Sequence, residues 1–130
     1  MVELACAGDP GLAPSRIEEK RERSYSVLTI EELRASFPED EWFFLIGADA
    51  FAEIRTWYRW EDVVRMVEFI VVSRPGFVYD IPEGCRVHRL DTLALDTSSS
   101  AIRDQIREGG APVEVPSSVL AYILEHRLYC

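Results

Sequence analysis

Two short apolar runs constrain this chain more than any other feature. Glu41–Ile46 (EWFFLI) ends at Gly47, and Glu68–Ser73 (EFIVVS) ends just before Pro75 and Gly76. Such short, nearly continuous runs read as strands buried on both faces, as in a parallel sheet. Between them the pattern predicts a short helix over about Asp49–Trp57 and a second over Trp60–Met66. Arg86–Leu90 reads as a third strand, and a short strand is expected over Ser15–Glu19. Ser24 is a candidate helix cap, with Val27, Ile30, Leu33 and Phe37 on one face and Pro38 as the stop. Ser98–Arg107 reads as a helix stopped by Gly109 and Gly110. Pro116 opens a last helix that runs to about Glu125. Strands alternating with helices over short links give an α/β fold with a parallel sheet. A length of 130 residues fits one domain, 1–130.

Charge narrows the functional classes. With 14 Lys+Arg against 23 Asp+Glu the net charge is 14 − 23 = −9, without the basic footprint of a nucleic-acid binder. A phosphate ligand remains open, because a few arginines and backbone amides can hold one. All the basic residues except Lys20 are Arg, which suits bidentate contacts to phosphate. Arg-richness is equally a mark of GC-rich genomes. Cys6, Cys85 and Cys130 are odd in number and form no CxxC pair, which points away from a disulfide framework or a zinc site. No apolar run approaches the roughly 18 residues of a membrane span. The opening MVELACAGDP lacks the basic and apolar regions of a secretory signal. The cytoplasm is the simplest home.

Three segments carry chemistry, each just after an expected strand, where open α/β sheets bind ligands. In Leu45-Ile46-Gly47-Ala48-Asp49, Gly47 lets a ligand approach the backbone. Asp49 could accept from ribose hydroxyls or simply cap the next helix. In Thr56-Trp57-Tyr58-Arg59-Trp60, a Trp could stack on a flat heterocycle or belong to the core. Trp60 fits the core better, and Trp57, on an inter-helix link, fits a ligand better. In Asp96-Thr97-Ser98-Ser99-Ser100-Ala101-Ile102-Arg103, serines supply a cap, hydroxyls and free N–H groups at a positive helix end. Arg103, about one turn in, could reach the same anion. A capped helix with a surface Arg is the plainer alternative.

Taken together these segments resemble the nicotinate-nucleotide adenylyltransferases of the nucleotidylyltransferase superfamily. Thr97–Arg103 (TSSSAIR) is similar to the family's ISSTxIR, with Thr for Ile and Ser for Thr. Phe43–Asp49 (FFLIGAD) matches its central strand and GAD turn, and Thr56–Trp60 (TWYRW) is similar to its TWHRW-like segment. Ser73–Gly76 (SRPG), Ser24–Thr29 (SYSVLT, for SYTxDT) and Tyr122–Tyr129 (YILEHRLY, for YIxxHxLY) complete a series in family order. Singly the matches are weak; in that order, from about residue 15 to 129, they are specific.

The resemblance implies a Rossmann-like nucleotidylyltransferase fold and transfer of AMP from ATP to nicotinate mononucleotide, giving deamido-NAD and pyrophosphate, usually with Mg²⁺. It implies that Trp57 stacks on the nicotinate ring and that Tyr58 and Ser26 meet its carboxylate. It places Gly47 and Asp49 beside adenosine, with Ser98, Ser99 and Arg103 on the ATP phosphates and Arg74 near the nucleotide. Leu28 replaces an Asp of the family pattern. His88 and His126 fall in no matched catalytic motif, and His126 is expected to be structural. The family's opening strand and GGTFDPxHxGH sequence, which carries its catalytic histidines, have no match here, so no catalytic residue is assigned. The first β-α segment would therefore be lacking and a strand edge left open, as in a fragment, a truncated gene product or one half of an assembly that self-associates or recruits the missing segment. Two other readings stand beside this one: a non-catalytic remnant that binds nucleotide or a partner, and a related nucleotidylyltransferase with another phosphate acceptor. An aromatic in TWYRW favours a pyridine ring over the latter.

Overall fold

The computed structural model describes residues 1–73, 76–91 and 98–129. Its elements are α1 (Val2–Cys6), α2 (Ser26–Ser36), β1 (Phe43–Gly47), α3 (Ala48–Ala52), a 3₁₀ turn (Ile54–Thr56), α4 (Trp60–Met66), β2 (Glu68–Ser73), β3 (Val87–Asp91), α5 (Ser99–Arg107) and α6 (Ser117–Glu125). They gather into two compact units, one of Ile17–Leu95 and one of Met1–Arg16 with Asp96–Cys130.

The first of these units holds the sheet. Its order is β1-β2-β3 with both pairings parallel. Phe43 lies opposite Glu68 and Gly47 opposite Val72, while Phe69 lies opposite Val87 and Ser73 opposite Asp91. Side chains alternate between faces along each strand. Ile46, Phe69 and Val71 are buried in one cluster with Val27 and Ile30 of α2, Phe51 of α3, and Val63 and Val64 of α4. The other face carries Phe43, Leu45 and Leu90, of which Leu45 is 65% exposed. The expectation of strands covered on both faces therefore fails for β1. All the helices of this core pack on the Ile46 side, and an apolar run alone cannot say whether its second face is covered. Among the described strands, β1 and β3 are the edges of the sheet, each paired with β2 alone.

Three local expectations also change. Residues 15–19 form no strand; 17–20 are turn, closed by Arg21 N–H to the Glu18 carbonyl at 3.0 Å. The side chains hold this turn to α2. Arg21 donates to Thr29 Oγ1 at 2.7 Å and pairs with Glu32, and Thr29 donates to Glu18. The helix cap is Tyr25 rather than Ser24, and no side chain caps α2. The Tyr25 ring instead lies 4.7 Å from that of Tyr58, a tertiary contact that overrides the local preference for Ser. The helix expected over 49–57 is broken at Glu53. Phe51 and Ile54, three apart and both fully buried, favour the tighter 3₁₀ spacing that follows.

In the second unit Ile106 of α5 packs with Val119 and Ile123 of α6. Both helices end in Schellman turns. Gly109 (φ 83) and Gly110 donate to Ile106 and Gln105 after α5, with the second bond at 2.9 Å. After α6 the left-handed position is filled by Arg127 (φ 51), and Leu128 donates to the Ile123 carbonyl at 2.9 Å.

Candidate functional site

Two aromatic contacts hold the turn before α4, one to the start of α2 and one to β1. Tyr25, at the N-cap of α2, touches Tyr58, and Phe44 of β1 meets the Trp57 indole edge-on at 5.6 Å between centroids. This brings Ser26, Trp57 and Tyr58, forecast as one site, to neighbouring positions. Trp57 is half-buried against the core, whereas Tyr58 is 54% exposed. The indole is thus neither sealed in the core nor loose on the surface. Trp60 is likewise half-buried against the core and carries Arg55 over its ring at 5.8 Å, so burial does not separate the two indoles.

Ser26 opens onto a cavity of about 320 Å³ between α2 and β1. Thr29, Ile30, Leu33, Trp42 and Phe44 line it as well, so Phe44 borders both the cavity and Trp57. Glu18, Ser26 and Thr29 are the polar residues of a lining that is otherwise made of hydrophobic residues.

Gly47 ends β1 and serves as N-cap of α3 with φ −71 and ψ 148, a conformation open to any residue. A Cβ built there would meet nothing within 4 Å. Among the described residues, neither backbone geometry nor packing demands glycine at this position. Asp49 sits in the first turn of α3 and is exposed. It is not the cap, and no side chain caps α3. At the ends of the neighbouring strands, Ser73 donates to Asp91 at 2.7 Å. Arg74, and Asp96 and Thr97 of the serine motif, lie outside the described residues.

In the other unit, Ser98 is the N-cap of α5, and its Oγ accepts from the Ala101 N–H at 3.1 Å. The cap is therefore real, and it leaves the N–H groups of Ser99 and Ser100 at the helix start without intrahelical partners. Both serines are exposed. Arg103 turns back to donate to Ser100 Oγ at 3.2 Å, which sets its guanidinium beside the same helix start. Free N–H groups and a guanidinium at a helix start are the chemistry that suits an anion.

Each histidine has a partner in the fold. His88 shares the Glu68 carboxylate with Arg86, at 2.6 and 2.7 Å, and this holds the Glu68 carboxyl below its ordinary range. His126 is the C-cap of α6, with its ring 4.1 Å from Tyr122. Sequence reasoning gave no role to Arg59. It stands in the left-handed region with φ 52 and pairs with Glu31 and Asp62 at 2.8 and 2.7 Å. A glycine, asparagine or aspartate there would have signalled that backbone shape in the sequence; an arginine does not.

Residues 1–105 match the cytidylyltransferase-like family. A probable nicotinate-nucleotide adenylyltransferase of Solibacter usitatus is 55% identical over 130 residues, covering 99% of this chain and 69% of that protein. One of Exiguobacterium sibiricum is 40% identical over 131 residues, again with 99% and 69% covered. Among solved structures, the nicotinic acid mononucleotide adenylyltransferase of Plasmodium falciparum complexed with APC superposes with a TM-score of 0.68 at 19% identity. That match covers 87% of this chain and 62% of that one. At that identity the likeness speaks for the fold alone.

Proposed function

The chain belongs to the nicotinate-nucleotide adenylyltransferases, within the cytidylyltransferase-like family, and from that premise we propose that its residues bind nicotinate mononucleotide and grip the phosphates of ATP. The reaction proposed is attack of the mononucleotide phosphate oxygen on the α-phosphorus of ATP. A P–O bond forms to give deamido-NAD, and the bond to pyrophosphate breaks. No covalent intermediate with the protein is needed, so the chain's work is positioning and charge stabilisation.

The observation that carries this reading is the meeting of Tyr25-Ser26 with Trp57-Tyr58. Ser26 and Trp57 are the chain neighbours of the two touching tyrosines, and Ser26 and Phe44, the latter against Trp57, line the same cavity. Trp57 would stack on the pyridine, while the Ser26 hydroxyl and groups at Tyr58 meet its carboxylate. Gly47 admits the adenosine side without a clash, and Asp49 takes ribose hydroxyls. Ser98, Ser99 and Arg103 hold the triphosphate at the start of α5, and Arg74 is assigned to the nucleotide by sequence alone. Magnesium belongs to the same reading. Among the described residues no cluster of three or more His, Cys, Asp or Glu could hold a metal ion. A magnesium ion on ATP keeps mostly water and phosphate oxygens in its shell. The ion therefore enters with ATP, and no residue of this chain is assigned to it. A cytoplasmic location is part of the proposal; no described helix is long and apolar enough to cross a membrane.

His88 and His126 are engaged elsewhere, and we assign neither to the transferring phosphate. A polypeptide of these 130 residues is accordingly expected to bind nicotinate mononucleotide while releasing little pyrophosphate. Calorimetric titration tests the binding. A stacked ring is worth about 1–3 kcal/mol, so Trp57→Ala should weaken nicotinate mononucleotide by roughly five- to 150-fold. Unchanged affinity in that variant would remove the pyridine site.

A further inference from the structure

Arg59 occupies a backbone position that suits glycine. It is the third residue of the turn Trp57-Tyr58-Arg59-Trp60, closed by Trp60 N–H to the Trp57 carbonyl at 3.2 Å. Its φ of 52 and ψ of 44 lie in the left-handed region, where a side chain is strained. A glycine would relieve that strain, so the arginine must be there for its side chain. That side chain reaches in two directions. Nε donates to Asp62 in the first turn of α4 at 2.7 Å, and Nη2 donates to Glu31 of α2 at 2.8 Å. Glu31 lies on the helix that carries Tyr25 and Ser26, and the Trp57–Tyr58 turn precedes the helix that carries Asp62. One guanidinium therefore ties together the two segments whose aromatic rings meet at the candidate pyridine site.

We infer that Arg59 is a positioning residue that clamps the Trp57–Tyr58 turn against α2 and so fixes the distance between the indole and the Ser26 hydroxyl. This rests on the pyridine-site reading for its purpose, but not for its geometry. Both carboxylates and the guanidinium are about 40% exposed, and surface ion pairs of this kind add little to global stability. The clamp therefore acts on local geometry. Its loss should be felt in ligand affinity more than in melting temperature.

The test uses the full chain with ¹⁵N-labelled tryptophan, the Trp57 indole resonance being assigned with Trp57→Phe. Three variants are compared: Arg59→Gly, which keeps the backbone shape and removes both ion pairs; Glu31→Ala, which leaves the Arg59–Asp62 pair in place; and Arg59→Lys. The first two should shift and broaden the Trp57 indole resonance and weaken nicotinate mononucleotide roughly three- to tenfold, with a melting temperature close to the parent for Glu31→Ala and, as backbone strain is relieved, at or somewhat above it for Arg59→Gly. Arg59→Lys, which keeps a charge, should recover part of both effects. An unmoved indole resonance and unchanged affinity in both Arg59→Gly and Glu31→Ala would overturn the clamp. If the unmodified chain fails to bind the mononucleotide, the pyridine-site reading falls. The indole resonance then decides the clamp by itself, perturbed in both variants if it exists and unperturbed if it does not.

Discussion

Gly47 separates structural from functional demand better than any other residue of the site. Its backbone angles suit alanine, and an added Cβ would enter open space. Replacing glycine by alanine at such a position narrows the unfolded ensemble, a gain of about 0.4–1 kcal/mol. Gly47→Ala should therefore melt at or slightly above the parent temperature while binding ATP more weakly, as a thermal melt and an ATP titration on the same sample would reveal. A fall in melting temperature with ATP binding intact would return Gly47 to the fold. Ser98 is the opposite case, because its Oγ is already engaged as a helix cap and a substitution there would disturb fold and ligand together. Sequence identified both residues but could not sort them. The difference depends on what surrounds a Cβ or an Oγ in space.

At the level of elements, the parallel strands and α4 were legible because their apolar runs and breakers are local signals. The 15–19 turn, the uncapped start of α2 and the 3₁₀ turn at 54–56 were not, because contacts across the chain decide them: Arg21 to Thr29, Tyr25 to Tyr58, and the joint burial of Phe51 and Ile54. Element ends also make predictions. Arg127 holds the left-handed position after α6, which costs a non-glycine residue about 1 kcal/mol. Arg127→Gly should raise the melting temperature by roughly 3–5 °C, measured by circular dichroism. The first residue of β2 adds a pH dependence. His88, foremost, and Arg86 hold the folded Glu68 carboxyl below its ordinary range, so the folded state binds that proton less readily than the unfolded chain does. The resulting stability is present in full above the ordinary carboxylate value and is lost as pH falls through the folded one. Urea midpoints followed from pH 6 down to about 3 should drop less steeply for Glu68→Gln than for the parent. Identical slopes would deny the pairing any weight.

For the whole molecule, family membership could be read from six short motifs in a fixed order, none sufficient alone. The pattern lies in their sequence along the chain, which folding does not scramble. How the ends join could not be read. Met1–Arg16 gathers with Asp96–Cys130, and Ser118 donates to the Leu4 carbonyl at 3.3 Å across nearly the entire chain length. No local pattern encodes a contact of that range. The central claim is that one face of the Trp57 indole receives a pyridine while the start of α5 receives a triphosphate. A crystal structure of the chain with nicotinate mononucleotide and a non-hydrolysable ATP analogue tests it most directly. The account predicts the pyridine at about 3.5–4 Å from the indole plane and phosphate oxygens at about 3 Å from the Ser99 or Ser100 N–H. A pyridine bound away from Trp57, or a triphosphate away from α5, would contradict it.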